Sequence, residues 1–165
     1  MATNVFLRSA IPFNVDVDIG SDPPAQISKL ISSNPSLKVY TRSSPSYPIL
    51  KNIWNLNYKK NEPLAMIRAT NSSEVSTVVK FCAENTLPIS IRSGGHDLWG
   101  RSVVQDAIIL DIRELNHVKL SEDKKSVTIG GGTQGVTLVE VLDKNGLVTP
   151  VTLAGDVGQV GWAFM

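Results

Sequence analysis

Cysteine is nearly absent from this chain: Cys82 stands alone among 165 residues. No internal disulfide can therefore hold the fold together, and the place of Cys82 in an apolar helical pattern marks it as a small buried hydrophobe. Histidine is almost as scarce. His96 and His117 are the only two, and with one cysteine they offer no spacing that suits a metal site. Neither sign of charge is in excess: 16 basic against 15 acidic residues leave a formal charge of +1, which removes the electrostatic reason to expect nucleic acid or an anionic membrane as partner. No apolar run reaches the roughly 20 residues that a membrane-spanning helix needs. The start, Met1 to Arg8, lacks a basic segment followed by a sustained apolar one, so no secretory signal is expected and the expected location is intracellular, in the cytoplasm. What the chain does have is apolar material for one core, since 42% hydrophobic and 19% charged residues describe an ordinary globular domain.

The rest of the chain is organised around the stretch from Leu87 to Ser102. An apolar strand, Ile89 to Ile91, is led in by Pro88 and runs through Arg92 and Ser93 into Gly94-Gly95, then His96 and Asp97. Glycine lacks a Cβ and enters the conformations in which successive backbone N–H groups turn to one side, so this turn can form a concavity that suits a pyrophosphate. Its histidine, neutral for much of the time near pH 7, can act as ligand, base or nucleophile. Taken alone, the Gly94-Gly95-His96 pattern is weak evidence: a surface turn is its leading plain reading, a nucleotide loop of another class competes with it, and a metal ligand is disfavoured because His117 and Cys82 offer no ligand spacing.

The flanking sequence has a regular grammar. Ile27, Leu30 and Ile31 share one face and predict a short helix over residues 25–32, ended by Asn34-Pro35. Lys38 to Thr41 reads as a short strand, and residues 43–48, rich in Ser and Pro, read as loop. Trp54 is expected to be a core or interface aromatic. Leu64 to Ala69 is an apolar strand. Asn71 and Glu74 then have the form of a reciprocal helix cap, followed by an apolar stripe of Val75, Val78, Val79 and Cys82 and a left-handed stop at Asn85. With the strand at Ile89 this makes a β-α-β unit with parallel strands, and the glycine turn falls at the carboxyl end of a sheet strand, where α/β sheets place ligands. The Gly-x-Gly-x-x-Gly spacing of a dinucleotide fold is missing. Residues 107–112 predict a third buried strand, and residues 117–120 and 126–129 a hairpin with His117 on its wet face. Gly130-Gly131-Gly132 reads as a strand end that lets backbones pack closely, with a phosphate cradle as the alternative. Gln134 to Lys144 predicts a helix capped by Gly146.

The run Arg92-Ser93-Gly94-Gly95-His96-Asp97 closely resembles the signature of the berberine-bridge-enzyme-like flavoproteins, within the vanillyl-alcohol-oxidase/p-cresol-methylhydroxylase class of FAD-binding domains. The resemblance extends from about residue 60 to 135 and on to a second flavin-contacting loop between Leu147 and Ala163, with a softer match between Ser46 and Asn57. It implies an α+β fold of the p-cresol-methylhydroxylase type, in which a parallel β-α-β unit precedes a mixed or antiparallel sheet. Residues 1–59 would be a lead-in with a short helix and loops, and residues 60–165 an FAD-binding domain that is incomplete at its C-terminus, with the substrate domain missing.

The same resemblance implies FAD attached covalently through His96. Arg92, Ser93, Gly94, Gly95 and Asp97 would lie around the pyrophosphate, with Arg92 offsetting its charge. Ser102 would be a further contact, and Gly158 and Gly161 would allow the backbone to approach the cofactor. Doubly linked relatives carry a cysteine where this chain has Ala154, which implies a single link. Val157 matches a position that influences oxygen access and leans towards oxidase chemistry on a small organic metabolite or sugar. A second polypeptide or self-association is an expected cover for the C-terminal end. A non-redox small-molecule-binding or pericyclase-like protein, or an inactive relic, are the alternative readings.

Overall fold

The computed structural model describes residues 23–164, so the lead-in expected before residue 24 lies almost wholly outside the described residues. Helix α1 (Ala25–Ser33) buries Ile27 and Leu30, and Asn34 closes it by donating its N–H to Ile31 O at 3.0 Å and its side-chain amide to Leu30 O at 3.0 Å. Strand β1 (Lys38–Thr41) follows, as the sequence predicts. The Ser/Pro-rich loop then ends in one helical turn, α2 (Tyr47–Leu50), with Pro48 in its first turn, where a missing N–H costs no hydrogen bond.

Strand β2 (Ala65–Arg68), helix α3 (Ser72–Glu84) and strand β3 (Ile89–Arg92) form the expected β-α-β unit. Its cap departs slightly from the expected form. Asn71 Oδ1 accepts from the Glu74 N–H at 3.0 Å, while the Glu74 carboxylate reaches back one residue further, to the Thr70 N–H at 2.8 Å. Val79 was expected on the buried stripe but is exposed, because it projects about 100° round the helix from Val78, beyond the line of contact; Phe81 packs part-buried instead. The left-handed residue at the end is Thr86 (φ 53°) rather than Asn85, whose amide bonds back to Phe81 O at 2.8 Å.

The chain continues through β4 (Ile108–Asp111), the hairpin β5 (Val118–Leu120) and β6 (Val127–Ile129), helix α4 (Gly135–Asp143) and the short α5 (Gln159–Ala163). The four-stranded sheet has the order β1-β2-β4-β3, with β1 antiparallel to β2 and the others parallel. Strand β4 thus sits between the two strands of the β-α-β unit. The lead-in shares this sheet through β1, and β5–β6 is a separate antiparallel pair.

Side chains alternate across the sheet, and both faces of its inner strands are covered. Val39, Ala65, Ile67, Ile108 and Leu110 pack with Ile27, Leu30, Val78 and Cys82 on one face; Tyr40, Met66 and Ile109 pack with Tyr47, Leu50, Ile53 and Val103 on the other. Edge strand β3 reverses the usual pattern. Its isoleucines, Ile89 and Ile91, are exposed, whereas Ser90 and Arg92 are buried.

One row of the register, Arg68–Asp111–Arg92, places three charges side by side at the carboxyl ends of the parallel strands. Asp111 Oδ2 receives Arg92 Nη2 at 2.7 Å, Arg113 Nη2 at 2.7 Å and Arg68 Nε at 3.3 Å, and Asp111 Oδ1 receives Arg113 Nε at 3.0 Å. Arg92 also donates to Leu50 O, and Arg68 lies 5.8 Å from the centre of the Tyr40 ring. Burial alone would raise the Asp111 pKa, but the positive charges of Arg92, Arg113 and Arg68 outweigh it and hold the carboxyl well below the usual carboxylate range.

Because the folded-state pKa lies below the unfolded value, the stabilisation from Asp111 is present above about pH 4 and declines as the solution is acidified below it. Asp111→Asn leaves buried guanidinium groups without their counter-charge, a change of a kind that costs about 3–5 kcal/mol. Urea denaturation at pH 7 is expected to show this loss, and a pH series is expected to show a flatter acid limb in the variant than in the wild type.

Candidate functional site

Strand β3 passes the chain at Arg92 into the turn Ser93-Gly94-Gly95-His96, and a second loop, residues 154–158, lies against that turn. A Cβ on Gly94 would overlap Asp156 O and Gly158 N; one on Gly158 would overlap Ser93 Oγ and come within 2.9 Å of Gly94 N. Two glycines are what allow the loops to touch backbone to backbone. Gly95 adopts φ 76° and its carbonyl accepts from the Trp54 N–H at 2.9 Å. The second loop is anchored on the start of α4: Val136 N–H donates to Gly155 O at 2.7 Å, Gly135 N–H to Val157 O at 3.0 Å, and the Gln134 side-chain amide to Asp156 O at 3.0 Å.

The imidazole of His96 sits between these loops. Its Nε2 lies 2.9 Å from Asp156 Oδ1, and the Trp54 ring stacks on it with centroids 5.9 Å apart and planes at 21°. Trp54, expected in a core or interface, is instead 62% exposed, since its backbone is pinned to Gly95 and its ring is left to cover the histidine. The Asp97 carboxylate accepts from Arg101 Nε at 3.0 Å and Nη2 at 2.8 Å. Burial works against its ionisation, but the side-chain and backbone hydrogen bonds from Arg101 prevail and hold its pKa below the ordinary value.

A cleft of about 370 Å³ opens beside the turn. Of the residues singled out from the sequence, Ser93, Gly94, Gly95, His96, Asp97, Ser102, Val157, Gly158 and Gly161 line it. Two do not. Arg92 was expected to offset pyrophosphate charge, but strand alternation turns it away from the face on which Ile91 meets the cleft, and its fully buried guanidinium is engaged by Asp111 and Leu50 O. Ala154 is exposed outside the cleft, its carbonyl accepting from Thr152 Oγ1 at 2.9 Å. Gly158 serves close approach to the Ser93-Gly94 backbone, whereas a Cβ on Gly161 would meet nothing within 4 Å. Gly130 and Gly132 are the close-packing positions expected of their run, since a Cβ on either would overlap the carbonyl of Leu115 or Ile112; Gly131 lies in the cleft wall.

The sequence reading missed Asp156 and Trp54 as neighbours of His96, and Ile91, Ile112, Val160 and Trp162 as apolar wall. The one available signal for Asp156 was a carboxylate placed directly before Val157 and Gly158 in the second loop.

FAD fits these residues. Among the described residues the backbone N–H groups of Gly94, Gly95 and His96 donate to no protein acceptor, and the buried Ser102 hydroxyl has no partner either. Buried donors without acceptors suit phosphate oxygens, and the adjoining apolar wall suits a flat ring system.

A mixed sheet carrying a glycine-turn cradle with a histidine at its tip defines a flavin-binding domain. The chain belongs to the FAD binding domain family, which it matches over residues 63–164. It is 37% identical over 156 residues to the FAD-linked oxidoreductase aurO of Gibberella zeae, covering 94% of this chain and 31% of that protein. It is 30% identical over 176 residues to tetrahydroberberine oxidase of Berberis wilsoniae, covering 98% of this chain and 33% of the relative. Among solved structures, 6-hydroxy-D-nicotine oxidase from Arthrobacter nicotinovorans superposes with a TM-score of 0.71 at 27% identity, over 75% of this chain and 27% of that one. The chain thus spans about a third of the length of the curated relatives it matches. Among the described residues no helix is long and apolar enough to cross a membrane.

Gly94→Ala forces a methyl group against backbone atoms that cannot swing aside, an overpacking expected to cost about 1–3 kcal/mol. Thermal denaturation and FAD titration by fluorescence quenching are expected to show a lower Tm and weaker FAD binding. Gly161→Ala, facing open space, is expected to leave the Tm unchanged.

Proposed function

We propose that this chain holds FAD covalently through His96 and serves as the cofactor domain of an oxidase that acts on a small organic metabolite or sugar. The observation that carries this reading is the position of His96, at the tip of a donor-lined turn, in the cleft wall, with its ring fixed by Trp54 and Asp156. Bound FAD would supply the redox chemistry, accepting a hydride equivalent from substrate and passing the electrons to dioxygen.

The chain's own residues bind and shape. The N–H groups of Gly94, Gly95 and His96 and the Ser102 hydroxyl hold phosphate oxygens, while Ile91, Ile112, Val160 and Trp162 exclude water from the ring. Val157, in the same wall, is the residue we assign to oxygen access, and Ala154, lacking a thiol, leaves a single covalent link. Substrate contacts and the catalytic base would come from a further segment or a partner polypeptide. The relatives, about three times longer, fit this division of labour.

Intact-mass measurement of the denatured protein after incubation with FAD is expected to give an increase of one FAD, mapped to the peptide carrying His96. His96→Ala is expected to lose that increase with little change in Tm, since a turn residue contributes little to the core. Covalent flavin persisting in this variant would overturn the assignment.

A further inference from the structure

A diphosphate carries negative charge on each of its phosphates, and the glycine turn meets it with uncharged groups: backbone N–H donors and the Ser102 hydroxyl. The surroundings add charge of the same sign. Asp97 lies in the cleft wall, and Asp156 lies beside His96. Carboxylates so close to a bound dianion oppose its binding unless a cation compensates them. Arg92, which has the charge for this, is buried on the other face of the sheet and engaged by Asp111. Among the described residues, Arg101 is the one arginine or lysine that lines the cleft.

Arg101 is held in a way that leaves it able to bind. The Asp97 carboxylate accepts its backbone N–H, its Nε at 3.0 Å and its Nη2 at 2.8 Å. Gly100, at φ 69°, fits against the Tyr58 ring where a Cβ would overlap it, and Asn55 donates its side-chain amide to Leu98 O at 2.9 Å. The loop from Asp97 to Arg101 is thereby pinned. The guanidinium is fixed along one edge, while its Nη1 donates to no acceptor among the described residues and the side chain is 70% exposed. An ionised carboxylate has no hydrogen to give a phosphate. The Asp97 side chain therefore acts on an anion through the arginine that it orients.

We infer that Arg101 is a cofactor-binding residue of this chain: oriented by Asp97 beside the glycine turn, its guanidinium holds the diphosphate of FAD and supplies the positive charge that the turn lacks. The inference rests on the flavin reading above and adds the cation. Arginine suits the place, since its planar fork keeps one pair of N–H groups on a carboxylate and offers others to phosphate oxygens. The turn and Ser102 set the position of the diphosphate, and Arg101 offsets its charge. A contact this near to solvent is screened by salt, so the affinity it supplies falls as ionic strength rises.

The test uses the 165-residue chain carrying His96→Ala, so that flavin stays reversibly bound, alone and with Arg101→Gln or Arg101→Lys. Titration calorimetry measures the affinity for FAD and, separately, for ADP, which has a diphosphate and no flavin. Arg101→Gln is expected to weaken both ligands about tenfold, the size of effect that loss of a hydrogen bond to a charged group produces. Arg101→Lys is expected to weaken them less, because it keeps the charge without the fork. The affinity of the parent for both ligands is expected to fall more steeply with added sodium chloride than that of the Gln variant. Tm is expected to stay near the parent's, since an exposed ion pair contributes little to stability. Unchanged FAD affinity in Arg101→Gln, FAD weakened with ADP unchanged, or the same salt dependence in parent and variant would overturn the inference. A chain that binds ADP with the expected dependence on Arg101 but does not bind FAD would instead overturn the flavin reading and leave the diphosphate contact standing. A chain that binds neither ligand would overturn both.

Discussion

A single buried carboxylate, Asp111, ties together the carboxyl ends of the parallel strands. It takes hydrogen bonds from Arg68 on β2, Arg92 on β3 and Arg113 just beyond β4. In a region closed to water such a cluster adds little net stability, because the desolvation of each charge offsets its attraction to the others. Removing one partner is costly all the same. The cluster therefore fixes the relative heights of β2, β3 and β4, and the point at which the chain leaves β3 for the glycine turn follows from it. Arg92 is one residue from Ser93, so a strand end locked on one face of the sheet aims a turn at the other.

From that anchor outward the site is built by contact between backbones. Gly94 and Gly158 lie against each other without side chains between them, and the start of α4 holds the second loop by three hydrogen bonds. The arrangement leaves N–H groups of the turn without protein acceptors, a cost that a bound anion offsets. His96 stands at the junction, its ring held at its face by Trp54 and at its edge by Asp156.

The parts of this design that could be read from the sequence are those with local physical causes. The helix at Ser72 was legible from its Asn71 cap and apolar spacing, the strand at Ala65 from its unbroken apolar run, and the turn from adjacent glycines at a strand end. Where the reading departed from the structure, a distant partner had decided the outcome. Val79 fits the helical spacing but falls outside the line along which α3 meets its neighbours. Arg92 has the right charge for a pyrophosphate, yet its direction is set by the parity of β3 and its partner by the register with β4.

The sequence by itself determined the strands and the longer helices, the cradle-forming turn and the likeness to flavin-binding domains, because these depend on residue type and on neighbours a few positions away. Only the tertiary structure decided what surrounds His96. Trp54 and Asp156 lie 42 and 60 positions from it along the chain, and they meet it because strand order and two interlocking glycines bring three loops to one point. Hydrogen bonds and ring contacts act over a few ångströms of space, and no local pattern in a sequence records that distance.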